Sequence, residues 1–144
     1  MKLEEIQLMW ERDAQIDRTE LGEESLRIPQ LHSKYFKIFS QERLLLRKME
    51  ADQRILFKDK YEWYNGSISE ETLEVYKWEP NPLKILRTDI PMHIEADKEI
   101  QNQNFKIEIQ KEKVEFVEAI IKSLTSRGFN IKSAIEWSKF QMGA

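Results

Sequence analysis

The stretch 29–66 constrains this chain more than any other: thirty-eight residues with one proline, at the start, and one glycine, at the end. Pro29 suits the first turn of a helix, where its missing N–H has no partner to lose, and Asn65-Gly66 suits a stop. One long helix is predicted. At 3.6 residues per turn, Leu31, Tyr35, Ile38, Leu45, Met49, Leu56 and Trp63 share one arc, a face for a core or a partner helix. Arg43, Arg47, Arg54, Lys58 and Tyr61 form a line roughly opposite. Phe36, Leu44 and Ile55 fall outside the apolar arc, which points to burial on more than one side, as in a bundle or an oligomer. At ~1.5 Å per residue the helix is ~50 Å long, more than one small globule covers neatly. Glu42, Asp52 and Asp59 interrupt the seam, so packing against copies of the chain is expected rather than a two-stranded zipper.

The flanking segments are shorter and less regular. Leu3, Ile6, Met9, Trp10 and Ile16 give residues 3–16 an amphipathic helical pattern, broken at Asp17 or Thr19 and then at Gly22. Residues 67–82 are acidic and close with Pro80-Asn81-Pro82, an expected mobile excursion with at most a short helix. Residues 83–97 alternate well enough for one or two short strands, with Pro91 excluding a central one. Val114, Val117, Ile120, Ile121 and Leu124 predict a second helix within 98–125, with Gly128 as its stop and Asn130 capping a short final helix. The expected architecture is a single, mainly α domain with possible short strands in the middle. Its parts are N-terminal helices over 1–66, the excursion over 67–97 and C-terminal helices over 98–144.

Composition removes several function classes. With no cysteine, disulfides and thiolate chemistry are excluded. The four glycines stand alone, so no phosphate-cradling loop exists, and His32 and His93 lack a partner at metal-ligand spacing. No catalytic residue, metal or cofactor is expected. The N-terminus carries charges where a signal peptide needs an apolar core, and no run approaches the ~20 apolar residues of a membrane span, so a soluble, intracellular protein is expected. Net charge is −3, but it is unevenly spread. Residues 1–24 hold three basic and eight acidic groups, residues 34–60 eight basic and four acidic, and residues 61–82 one basic and five acidic. Segregation of this kind permits a local positive surface on an acidic protein; it also serves to sort neighbouring helices in an assembly.

Cations beside flat rings are what single-stranded nucleic acid needs. Basic groups pair with phosphates, and an aromatic platform is worth ~1–3 kcal/mol per stacked base. Arg43, Arg47, Arg54, Lys58 and Lys60 supply charge, and Tyr61, Trp63 and Tyr64 supply rings. Tyr61 is the preferred stacker because it lies in line with the basic stripe, whereas Trp63 falls on the apolar arc. The competing reading is a structural coiled-coil adaptor whose basic stripe pairs with the acidic residues of 1–24. A sequence-specific duplex binder is weaker, since no helix-turn-helix with a short turn is apparent.

The run Lys58-Asp59-Lys60-Tyr61-Glu62-Trp63-Tyr64-Asn65-Gly66 resembles the lysine-x-basic motif, paired aromatics and glycine of the UvsY recombination mediator family of T-even-type bacteriophages. The closing segment from Lys122 through Ser126-Arg127-Gly128-Phe129-Asn130-Ile131-Lys132 to Phe140 and Gly143 is similar too, as is the opening Leu3-Glu4-Glu5 … Ile16-Asp17. The resemblance spans most of the chain in order, except residues 67–113. It implies a non-catalytic mediator that binds single-stranded DNA, contacts the phage single-strand-binding protein and loads the phage recombinase, in the cytoplasm of the infected host. It also implies a ring-like or open-barrel homo-oligomer, heptameric in the known family, with the C-terminal region implicated in assembly. Ile120, Leu124, Phe129, Ile135 and Phe140 are the candidate assembly or core contacts. The family's DNA-contacting basic pair falls on Lys58 and Lys60, with Asp59 between them where the family has a small neutral residue. Those two lysines lie ~200° apart on an ideal helix, so the expectation is that DNA meets them at an oligomer rim.

Overall fold

The structure, a computed structural model, describes residues 1–143. Among them the chain is helical throughout, and the mainly α expectation holds. In order come α1 (Leu3–Asp13), α2 (Leu21–Asn65), α3 (Glu70–Tyr76), a 3-10 turn (Arg87–Asp89), α4 (Ile90–Glu95) and α5 (Lys98–Gln141). The chain gathers into two compact units. One comprises Met1–Leu44 with Lys111–Ala144, the other Leu45–Gln110, so α2 and α5 each contribute to both.

In the first unit, Ile6 of α1, Leu31 and Tyr35 of α2, and Val117, Ile120 and Leu124 of α5 form the buried core. Trp10 meets Tyr35 edge-on, with ring centroids 5.5 Å apart. Beside this core lies a polar knot. The Asp13 carboxylate accepts hydrogen bonds from Lys34 Nζ and Tyr35 Oη, each at 2.7 Å, and pairs with Arg27 at 3.3 Å. Burial pushes the Asp13 carboxyl up, but these donors and the two cations outweigh it and hold its pKa below the ordinary value. Arg127, only 4 % exposed, donates to the Asp13 and Gln15 carbonyls at 2.7 and 3.2 Å and to Glu24 Oε2 at 2.7 Å. One guanidinium on α5 thus fixes the end of α1 and the start of α2.

That knot explains two departures from the expected helix boundaries. α2 begins at Leu21 rather than Pro29, because Glu24, Arg27 and Ile28 all have partners or cover to gain by being helical. Pro29 is carried inside the helix; the Ser25 carbonyl, which its missing N–H leaves without a helical donor, belongs to an exposed residue that water can reach. α5 likewise runs through Gly128 without stopping, so the predicted stop and separate final helix are replaced by one helix to Gln141. Arg127 and Ile131, on either side of the glycine, are both buried, and their packing outweighs the ~1 kcal/mol that glycine costs a helix.

In the second unit, Ile90, Ile94 and Ile100 form a buried cluster covered by Leu56, Tyr61, Tyr64 and Ile85. The short strands anticipated in 83–97 are absent among the described residues. Pro91 sits in the first turn of α4, where a missing N–H is harmless, and Ile90 and Ile94 are buried one helical turn apart. α2 ends where predicted: Gly66 takes φ 79°, and the Ser67 N–H returns to the Glu62 carbonyl at 3.0 Å.

Replacing Arg127 by Met should cost about 3 kcal/mol, because the buried Glu24 carboxylate loses its closer cation and keeps only Arg27 at 3.4 Å, while the Asp13 and Gln15 carbonyls lose their donor. Urea unfolding of the variant beside the parent protein measures this; a loss below about 1 kcal/mol contradicts the proposed role of the knot.

Candidate nucleic-acid interface

The second unit holds most of the cations singled out in the sequence, and it treats them in two opposite ways. Arg47, Arg54 and Lys58 occupy one face of α2 at spacings of seven and four and are exposed. Arg47 and Arg54 have no ion pair among the described residues. The Lys58 side chain is 73 % exposed, and its only ion pair among them is a one-turn pairing with Glu62 at 3.4 Å, the kind of surface pair that contributes little.

Lys60 is turned inward and is 6 % exposed. Its ammonium lies 3.1 Å from Asp97 Oδ2 and 3.4 Å from Glu99 Oε1, at the start of α5. The Trp78 ring covers it at 4.2 Å, and Trp63 stands at 5.4 Å. Four neighbours therefore satisfy and desolvate the charge, and a phosphate reaching Lys60 has to displace two carboxylates. Lys60, expected to meet DNA with Lys58 at an oligomer rim, has its ammonium paired and covered within the protomer. The ~200° between the two positions, visible in the sequence, is the reason: one side chain faces water, the other faces α5.

The aromatic cluster is similarly occupied. Tyr61 packs on the Ile90–Ile94–Ile100 cluster. Trp63 donates its indole N–H to the Glu79 carbonyl at 2.7 Å, and Tyr64 donates to Asp97 Oδ2 at 2.7 Å. Tyr76 donates to Asp59, and its ring stacks on Trp78 with centroids 4.0 Å apart; the Trp78 N–H reaches Glu99 at 2.8 Å. Asp59, standing between the two lysines where the family has a small neutral residue, is the anchor for Tyr76. Together these interactions bind the segment 70–79 to the end of α2. Burial and the Asp59 carboxylate push the Tyr76 hydroxyl up to about 12; burial and Asp97 push Tyr64 higher.

Asp97 carries the heaviest duty. Burial alone raises its pKa, but the Tyr64 hydroxyl, the Ile100 N–H and the Lys60 ammonium bring it below the ordinary value. Its other oxygen accepts the Glu99 and Ile100 N–H groups at 2.9 and 3.2 Å, capping α5. Sequence reading missed this role, although an aspartate directly before a long helical pattern is a cap signal.

Arg43 belongs to the first unit. It is half-buried, its guanidinium over the Phe39 ring at 5.0 Å, and its buried Nε lacks a hydrogen-bond partner. Of the candidate assembly residues, Ile120 and Leu124 are core, Ile135 is half-buried, and Phe129 and Phe140 are more than two-thirds exposed. No group of three or more histidines or carboxylates able to hold a metal occurs among the described residues, and no described helix is long and apolar enough to cross a membrane.

The family model described as "Recombination, repair and ssDNA binding protein UvsY" matches residues 9–144. The chain belongs to the UvsY family. A UvsY relative, "Recombination protein uvsY" of Enterobacteria phage T4, is 23 % identical over 143 residues, which is 99 % of each chain. Crystal structures of the bacteriophage T4 recombination mediator protein UvsY share the fold. One superposes with a TM-score of 0.85 at 22 % identity, over 99 % of this chain and 98 % of the other. A second gives 0.84 at 22 % identity, over 97 % and 99 %. The UvsY fold is therefore present over essentially the whole length, and the aromatic and ionic knot around Lys60 lies within it.

Lys60→Met should cost about 3 kcal/mol, the lower end for a broken buried pair, since Asp97 keeps its other donors. Lys58→Met should change stability by less than about 0.5 kcal/mol. Thermal and urea unfolding of the two variants checks the contrast, and equal effects contradict it. Asp97 binds its proton more weakly when folded, so its contribution is complete above the ordinary aspartate pKa of about 3.9 and is lost as pH falls through the lowered folded value. Asp97→Asn should flatten the acid limb of the stability–pH curve and leave the share that Asp13 contributes.

Proposed function

We propose that this protein is a recombination mediator that binds single-stranded DNA along the exposed cations of α2. One observation carries the reading: in a member of a single-strand-binding family, Arg47, Arg54 and Lys58 stand unburied on one helical face. Phosphates are the natural counter-charge for such a row, and Lys58 is its best single contact. Lys60 serves the same end indirectly, by fixing the end of α2 that presents Lys58. Arg43 extends the basic surface within the first unit. Tyr61 is assigned to packing rather than to base stacking.

The finer role is promotion of recombinase loading onto DNA covered by the phage single-strand-binding protein, in recombination and repair within the infected host. The protein acts without catalysis and as a homo-oligomer, with the heptamer of the family as the reference state. Exposed Phe129 and Phe140, about three turns apart on one face of α5, support an assembly face there, and half-buried Ile135 lies off that face. Repetition of a three-cation row around an oligomer turns modest attraction into avidity on one strand, which offsets the net charge of −3. The adaptor reading needs the basic stripe to be consumed by the acidic N-terminus. The cations that meet Asp13 of α1 are Arg27 and Lys34, so Arg47, Arg54 and Lys58 remain available.

Fluorescence anisotropy of a labelled single-stranded oligonucleotide across a salt series tests the proposal. Affinity should fall log-linearly with salt, and Arg47→Ala/Arg54→Ala/Lys58→Ala should reduce the slope by about 2, at ~0.7 for each phosphate no longer neutralised. A duplex of the same sequence should bind more weakly. Absence of binding at low salt would sink the proposal, and an unchanged slope would remove the row from it.

A further inference from the structure

With Tyr61, Trp63, Tyr64, Tyr76 and Trp78 engaged in packing or hydrogen bonds, the basic row needs another ring if bases are to be held as well as phosphates. Phe57 is that ring. It lies one turn beyond Arg54 and next to Lys58, and it is 50 % exposed, although nothing polar on it requires solvent. It forms a wall of a groove of about 340 Å³, floored by Ile94 and Ile100 and rimmed by Gln53, Arg54 and Asn104. That volume lies at the small end of the ~300–1,000 Å³ typical of small-molecule sites, suited to a single planar ring rather than an extended ligand.

The lining has the composition of a base pocket. Phe57 offers an aromatic face and the two isoleucines an apolar floor. Gln53 donates to the Asn104 side-chain carbonyl, which leaves the Gln53 carbonyl and the Asn104 amino group for the edge of a base. Arg54 is on the rim with no ion pair among the described residues, and Lys58 follows one turn later, so an occupant carrying phosphate on its outer side finds cations there. Glu95, which also lines the groove, disfavours a purely anionic ligand seated deep in it and leaves a neutral ring with an external phosphate as the better match.

We infer that this groove is a base-stacking subsite for single-stranded DNA, in which one unpaired base lies against Phe57 while its phosphate meets Arg54 and Lys58. The inference rests on the single-strand-binding reading and adds to it the aromatic platform and the position along α2 at which a base leaves the backbone path.

The test compares Phe57→Ala, Phe57→Leu and the parent protein on two labelled oligonucleotides of equal length, one carrying bases and one abasic, with helix content and oligomer mass measured on each variant. The base-bearing strand should bind Phe57→Ala about 5- to 100-fold more weakly, the range expected for loss of one stacked base per site. Phe57→Leu, which keeps an apolar side chain without a ring, should lose nearly as much, and the abasic strand should bind all three proteins alike. Equal affinities for the base-bearing strand overturn the inference and leave the phosphate reading standing. Equal losses on both strands, or a change in oligomer mass, also overturn it, because the groove would then serve folding or protein association. Failure of the parent protein to bind either strand overturns the single-strand-binding reading itself.

Discussion

The second unit depends on a buried positive charge. Taking the Lys60 ammonium out of water costs several kcal/mol unless it is paired and covered, and the surrounding elements are arranged to do both. Asp97 and Glu99, at the head of α5, supply the counter-charge, and Trp78, beyond α3, supplies the lid. Because Asp97 also caps α5 and accepts from Tyr64, one ion pair sets where α5 starts, where α2 ends and how the acidic segment between them is tied down. The first unit uses the same device with the cation on the other helix: a buried arginine of α5 gathers the end of α1 and the start of α2.

This division of labour gives the short motif its meaning. Lys58 and Lys60 are two residues apart, so a helix sends one outward and the other inward. The outward lysine continues a row begun by Arg47 and Arg54; the inward one holds the helix end in place. Asp59 belongs to the same logic as the anchor of Tyr76. Charge on the surface and charge in the interior are therefore physically coupled, and a substitution at Lys60 reaches the exposed row of cations through the position of the helix end rather than by removing a member of that row.

Much of the fold was legible in the residues. The long helix, the apolar arc containing Leu31, Tyr35 and Ile38, and the run through Val117, Ile120 and Leu124 follow from periodicity, and the stop at Gly66 from the Asn65-Gly66 pair. What periodicity lacks is knowledge of partners. Gly128 reads as a stop until Arg127 is seen to be buried against Glu24, and Pro29 reads as a start until Glu24 is seen to require a helix before it. Ile90 and Ile94 read as alternating strand positions, because over so short a stretch a spacing of four fits both periods. In the candidate site, Arg54 and Lys58 were found as exposed cations, whereas the interior role of Lys60 and the open ring of Phe57 depend on where α5 and residues 78–94 pack. Those positions are tertiary, and no local signal in the sequence carries them.

A structure of the protein bound to a single-stranded oligonucleotide tests the central claim most directly, that exposed and buried cations of α2 have separate duties. Phosphates should lie against Arg47, Arg54 and Lys58 while the Lys60 ammonium stays paired with Asp97 beneath Trp78. A phosphate on Lys60, with Trp78 and the segment 70–79 displaced, would contradict it.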